Sequence, residues 1–201
     1  MNFTCESEKL QKAVGLVSKA ISHKKTTIPI MENLLLEITD SQLRLRGNDL
    51  EMGIENTIEV SEVQSTGSAL LNATTLSSIV SKFQSGQSIH VSSKENGMVM
   101  LSSGKIKFDL LSHNIDEYPS FPKMEEGGQF TLKAETLKPL IKHTIFAVSQ
   151  DETKQFLNGI LLKIENGEIV FVSTDGFRLA LRTEKLDAAA PDSSVIVPFK
   201  T

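Results

Sequence analysis

Two carboxylates could do acid–base or metal chemistry: Asp49 and Asp175, 126 positions apart. Paired, they could shuttle a proton or hold a divalent cation, as in a carboxylate-dependent hydrolase or a nucleotide-processing enzyme. The spacing also fits a plainer origin, because an Asp at the same turn of two copies of one unit is a turn former. The four histidines, His23, His90, His113 and His143, are scattered without metal-ligand spacing, and Cys5 is the only cysteine. That excludes an intrachain disulfide and leaves no expected metal or other cofactor. There is no phosphate-binding loop, dinucleotide fingerprint or Gly-x-Ser-x-Gly elbow. The chemistry-bearing residues therefore favour binding over catalysis.

Two features could bind. In Ser173-Thr-Asp-Gly-Phe-Arg-Leu-Ala180, Gly176 permits positive φ or close backbone approach, and Phe177 and Leu179 alternate with Arg178. A tight turn explains the Asp and Gly, while a groove accepting a peptide, with Leu157 as a wall, is the functional reading. The second feature is basic. The net charge of -4, from 21 Lys and Arg against 25 Asp and Glu, argues against a coat of positive charge yet allows a local basic face. Lys9, Lys12 and Lys19 fall opposite an apolar helical stripe, with Lys24 and Lys25 just beyond. From the residues alone a solvated helix face is the favoured account of them.

The elements that must position these residues follow from periodicity. Leu10, Val14 and Val17, after the acidic Glu6-Ser7-Glu8, predict a helix over about 7–20. Short strands are predicted at 34–38, 42–46, 52–60, 68–71, 89–92, 98–102 and 106–111, separated by turn signals such as Asn96-Gly97. Asn72 is expected to cap a second helix to about Phe83, with Leu76, Ile79, Val80 and Phe83 as its apolar face. The unit reads as strand, helix and three strands, done twice, an α+β architecture. Residues 113–129, with two prolines and two adjacent glycines, predict a linker. Beyond it the pattern restarts: Phe130-Thr131 matches Phe3-Thr4, a helix carries Leu137, Ile141, Ile145 and Val148, and Ile160, Leu161, Leu162 and Ile164 answer Leu34, Leu35, Leu36 and Ile38. The amino terminus is polar and acidic, and no apolar run approaches 18 residues, so no membrane segment is expected and a reducing, cytoplasmic compartment is.

Over its whole length the sequence resembles the bacterial β sliding clamps. The resemblance runs through Phe3-Thr4, Ile28-Pro29-Ile30 with Asn33-Leu-Leu-Leu36, Asn48-Asp-Leu-Glu-Met52, Tyr118-Pro119, Leu157-Asn-Gly159, Thr174-Asp-Gly-Phe-Arg-Leu179 and Val195-Ile-Val-Pro198. It implies the DNA clamp fold, with helices lining the inner surface of a ring and antiparallel sheets outside. It implies no enzyme but the processivity subunit of DNA polymerase III, encircling duplex DNA. Implied partners are double-stranded DNA, the polymerase III catalytic subunit, the clamp loader, repair and translesion polymerases and mismatch-repair proteins through short peptide motifs, and a second clamp chain. Lys9, Lys12, Lys19, Lys138 and Lys142 would turn positive potential toward phosphate. The family's DNA-contacting positions fall on Lys25, Thr74, Gln150, Gln155 and Phe156. Its peptide pocket falls on Leu157, Thr174, Gly176, Phe177, Arg178 and Leu179, with Phe177 where His is frequent. Ile79 and Phe108 match the subunit interface.

Two full periods of 126 exceed the 201 residues present. The expectation is a first domain over 1–126, a second over 127–201 that stops after its first half, and no third domain, as in a fragment of a longer clamp. Such a chain is expected not to close a ring alone and to bind clamp motifs weakly. A two-repeat protein-interaction module without a DNA role is the remaining alternative.

Overall fold

A computed structural model describes residues 1–21, 28–50, 52–121, 129–151, 153–188 and 190–201. The chain divides into two units, Met1–Pro122 and Lys123–Thr201. The expected boundary between 126 and 127 lies outside the described residues.

The first unit runs β1 (Asn2–Glu6), α1 (Ser7–Val17), β2 (Asn33–Thr39), β3 (Gln42–Asn48), β4 (Gly53–Glu59), β5 (Ser61–Ser65), β6 (Gly67–Asn72), α2 (Ala73–Val80), β7 (Ser88–Ser93), β8 (Met98–Ser103) and β9 (Ile106–Leu111). Its strands form two antiparallel sheets, β5-β1-β7-β8-β9 and β4-β3-β2-β6. Each half thus lends its opening strand to the sheet of the other. The alternating apolar residues of both sheets meet one flank of each helix, so Phe3, Val14, Leu36, Leu71, Leu76, Val80 and Val91 share one buried core. At the start of α1, Ser7 Oγ donates to the Gln84 carbonyl at 2.7 Å and Gln11 Nε2 to the Val80 and Phe83 carbonyls at 2.8 and 3.0 Å, which satisfies the open carbonyl end of α2. Asn72 caps α2, its Oδ1 accepting from the Thr75 amide at 3.0 Å.

The second unit contains α3 (Ala134–Lys142), β10 (Gly159–Glu165), β11 (Glu168–Thr174), β12 (Leu179–Lys185) and β13 (Ser193–Pro198), in an antiparallel sheet ordered β12-β11-β10-β13. The repeat is exact in register. Asn33 opposite Asn72 recurs as Gly159 opposite Pro198, and Gln42 opposite Glu59 as Glu168 opposite Lys185, each residue moved by 126 (33 to 159, 72 to 198, 42 to 168, 59 to 185). The helix is displaced by 127, Ser7 to Ala134. One close helix–sheet approach recurs in both units. A Cβ on Gly47 would stand 2.8 Å from the Val17 carbonyl; at the matching place Ser173 Oγ donates to the Thr144 carbonyl at 2.5 Å.

Three expectations are corrected. The first half has a fourth strand after its helix: the polar β5 carries no apolar alternation and exists because β1 offers it an edge. The linker reading fails for residues 113–121. Tyr118 and Ile115 pack on Leu35 and Leu70, and the His113 amide donates to the Leu70 carbonyl at 2.8 Å. In α3 the buried residue is Leu140, while Ile141 and Ile145 are exposed. Ile145 lies past the helix, in a 3-10 turn over Ile145–Ala147.

Candidate functional site

The turn between β11 and β12 is built by a short carboxylate. Asp175 Oδ1 accepts from the amides of Phe177 and Arg178, both at 3.0 Å, and its Oδ2 accepts from Arg178 Nε at 2.9 Å. Those donors hold the Asp175 carboxyl below the usual carboxylate range, the Phe177 amide contributing most. Thr174 Oγ1 closes the other side, donating to the Arg178 carbonyl at 2.8 Å. Asp49 does the same work between β3 and β4, its Oδ1 accepting from the Met52 amide at 2.8 Å. Both aspartates hold turns through backbone amides, each in its own unit, and the enzyme reading loses its two residues. Among the described residues no cluster of three or more His, Cys, Asp or Glu could hold a metal ion. Cys5 is buried within β1, which pushes its thiol up to about 12 and leaves it inert.

Gly176 has φ of 91°, as a turn this tight requires, and it lifts Phe177 into full exposure at 100%. Leu179 and Leu181 follow on β12, exposed on one face of the sheet. The antiparallel register brings the end of β11 and the start of β10 to one end of the sheet, so the 3-10 turn Gln155–Leu157 stands at the same end as this hairpin. The Arg178 guanidinium lies 5.7 Å from the centre of the exposed Phe146 ring. Leu157 is half-buried, and Phe156 and Gln155 are exposed.

This outer sheet face shows what sequence reasoning missed. In the first unit the equivalent face sets ion pairs beside Leu35 and Leu70, and Tyr118, Ile115 and Phe121 cover it. Arg46 pairs with Glu37 at 3.1 Å and Glu55 at 2.7 Å, its guanidinium lies 5.6 Å from the Phe121 ring, and Gly53 lets that ring settle on the backbone. In the second unit the offset of 126 puts Lys163, Leu181, Val172 and Leu179 at the places of Glu37, Glu55, Arg46 and Gly53. Leu161 and Ile196, at the places of Leu35 and Leu70, join them, and Ile196 is exposed. Comparing the outward residues of the two repeats, rather than the inward ones, carries this signal.

The lysines singled out in the sequence lie on the helices and the turn after α1. Lys9, Lys12 and Lys19 are exposed on α1 and the turn after it; Lys9 is tied to Glu6 at 2.9 Å, and that hydrogen bond raises its pKa. Thr74 is exposed on α2 beside a hydroxyl-rich surface of Thr75, Ser78 and Ser81. In the second unit Lys138, Lys142 and Gln150 are exposed. Lys25, with Lys24 and His23, lies outside the described residues. Ile79 and Phe108 are half-buried on the first unit's core, Phe108 edge-to-face with Phe83 at 6.0 Å. No described helix is long and apolar enough to cross a membrane.

Known proteins share this construction. A family model described as DNA polymerase III beta subunit, N-terminal domain, matches residues 1–122, and one described as its central domain matches 131–201. The beta sliding clamp of Bacillus subtilis (strain 168) is 34% identical over 209 residues, covering 100% of this chain and 55% of the relative. That of Salmonella typhimurium is 34% identical over 200 residues, covering 100% and 54%. Among solved structures, the DNA polymerase sliding clamp from Bacillus subtilis has a TM-score of 0.92 at 34% identity, over 100% of this chain and 54% of that one. The sliding clamp from Pseudomonas aeruginosa bound to griselimycin has a TM-score of 0.89 at 28% identity, again over 100% and 54%. The chain spans about half the length of the curated relatives it matches. With one clamp-domain description on each of its two units, the chain belongs to the DNA polymerase III beta subunit family of sliding clamps.

Proposed function

We propose that this chain serves as part of a DNA-encircling processivity clamp, holding a replicative polymerase on duplex DNA without reading its sequence. The observation that carries the reading is a division of surface chemistry by element within one repeated architecture: exposed lysines and hydroxyls on the helices, and an exposed apolar face with its Phe177 hairpin on the second unit's sheet. Diffuse phosphate contact suits sliding, because strong contacts to base edges would pin the protein. In this reading Lys9, Lys12, Lys19, Lys25, Thr74, Lys138, Lys142, Gln150, Gln155 and Phe156 face the duplex.

Leu157, Thr174, Gly176, Phe177, Arg178 and Leu179 take short apolar peptide motifs, with Leu181 and Ile196 extending the surface. The peptides belong to the polymerase III catalytic subunit, the clamp loader, and repair, translesion and mismatch-repair proteins. Ile79 and Phe108 lie at the joint with another clamp chain, and the site of action is the cytoplasm.

A chimera tests the reading. This chain replaces the aligned portion of the Bacillus subtilis clamp, and primer extension on a circular template is measured with that clamp's polymerase and loader. Long products are expected, shortening when Lys12 and Lys19 are reversed to Glu. A folded chimera that loads but gives only the short products of polymerase alone would sink the proposal.

A further inference from the structure

Three Asn-Gly pairs are present, Asn96-Gly97, Asn158-Gly159 and Asn166-Gly167. Glycine leaves its amide nitrogen open to approach, and the asparagine before it carries a thermolabile side-chain amide. The fold treats the three differently. The Gly97 amide donates to the Lys94 carbonyl at 3.2 Å, and Asn96 Oδ1 accepts from the Met98 amide at 3.2 Å. Asn158 Nδ2, in the orientation its neighbours require, donates to the carbonyls of Ser149 and Asp151, both at 3.0 Å, and a Cβ on Gly159 would stand 2.5 Å from the Val197 carbonyl. Both of these pairs are held in place.

Asn166-Gly167 is the exposed turn between β10 and β11, with φ of 54° and 77°. Among the described residues nothing hydrogen-bonds to the Asn166 side chain or to the Gly167 amide. The turn is held instead through the Gly167 carbonyl, which accepts from the Leu186 amide at 2.9 Å. A Cβ on Gly167 would meet nothing within 4 Å, so water reaches the pair. The matching turn of the first unit, Thr39 to Ser41, is exposed too, although α2 and β7 to β9 complete that unit's core. Exposure here therefore belongs to the hairpin tip and does not depend on what covers the core. That turn carries Asp40 at φ of 51°, so the fold accepts a carboxylate at this place.

We propose that Asn166 is a site of spontaneous deamidation, through a ring closed by its own neighbour. The Gly167 nitrogen bonds to Asn166 Cγ, the Cγ–Nδ2 bond breaks, and Nδ2 leaves as ammonia with the proton that the Gly167 amide gives up. Water then opens the succinimide at either carbonyl. One opening gives aspartate; the other gives isoaspartate, whose extra backbone carbon lengthens a two-residue hairpin loop. The inference stands apart from the DNA and peptide reading and uses neither surface.

The folded chain, kept in mildly alkaline buffer and then digested with trypsin, provides the test. Trypsin puts the three pairs on separate peptides, 95–105, 155–163 and 164–178. Mass spectrometry reads the conversion of amide to carboxyl in each, and fragmentation locates isoaspartate. The hydrogen bonds that hold Asn96 and Asn158 must open before attack, so conversion at Asn166 is expected to be at least about fivefold faster than at either. In urea, where only local sequence acts, that lead is expected to shrink. Isoaspartate is expected at 166 beside aspartate. The proposal is overturned if Asn166 converts no faster than the other two in the folded chain, if its lead persists undiminished in urea, or if aspartate alone is formed.

Discussion

Asp175 is tied to two amides and one guanidinium, so the turn that presents Phe177 depends on its charge. Its folded pKa is depressed. The stability it lends is therefore complete above the ordinary carboxylate value near 4 and is lost as pH falls through the lower folded value. Thermal melts at neutral and acid pH are expected to show Asp175→Asn less stable than wild type at neutral pH, with the gap closing on acidification. A gap that widens in acid would contradict the assignment. Leu50 occupies the place of Gly176 and carries φ of 74° with an exposed side chain. Leu50→Gly is expected to stabilise the first unit by about 1 kcal/mol in urea unfolding, by relieving left-handed strain; a loss of stability would refute this. The aspartates were legible as turn formers because an Asx turn is local chemistry. The strain at Leu50 was not, because nothing in a leucine announces positive φ; only the offset to Gly176 exposes it.

Strands and helices were legible wherever one face is buried, since burial imposes the period that is read. The polar β5 escaped because β1, not its own pattern, makes it a strand. The inward flank of α3 was misassigned for a related reason. Leu140, which matches Ala13, is buried with Ile160, Ile164, Ile169 and Phe171, and Leu137 packs against the same cluster, whereas Ile141, which matches the buried Val14, is exposed. A helical stripe therefore names the residues that can be buried and not which of them are. Gly53 and Phe121 show the element-scale cost of changing the cover. A Cβ at Gly53 would come within 2.6 Å of the Phe121 ring. Gly53→Leu, which copies Leu179, is expected to displace the ring and destabilise the first unit by roughly 1–3 kcal/mol, read from urea unfolding; an unchanged midpoint would show that the ring does not cap this face. At the opposite edge Asn72→Ala removes the cap of α2 and is expected to cost about 1 kcal/mol, and a change below the error of the same unfolding curve would count against the cap.

At the scale of the molecule, one architecture carries two outer surfaces. The first repeat spends its outer sheet face on ion pairs and its own aromatic residues, while the second leaves that face apolar and exposed. The overall charge of -4 says nothing of this division, because the field at a contact surface depends on where Lys12 and Lys19 project and not on the total. The two copies were legible in the spacing of apolar residues, but their different outward residues acquire meaning only once register shows which positions match. If the helix faces hold duplex DNA through its phosphates, as proposed, affinity for two duplexes of unrelated sequence across a range of salt is the measurement that decides it. Equal affinities are expected at every salt concentration, with a linear fall of log affinity with log salt and a slope reduced by about 0.9 for each lysine removed in Lys12→Ala and Lys19→Ala. Strong preference for one duplex, or a slope unmoved by either substitution, would contradict it.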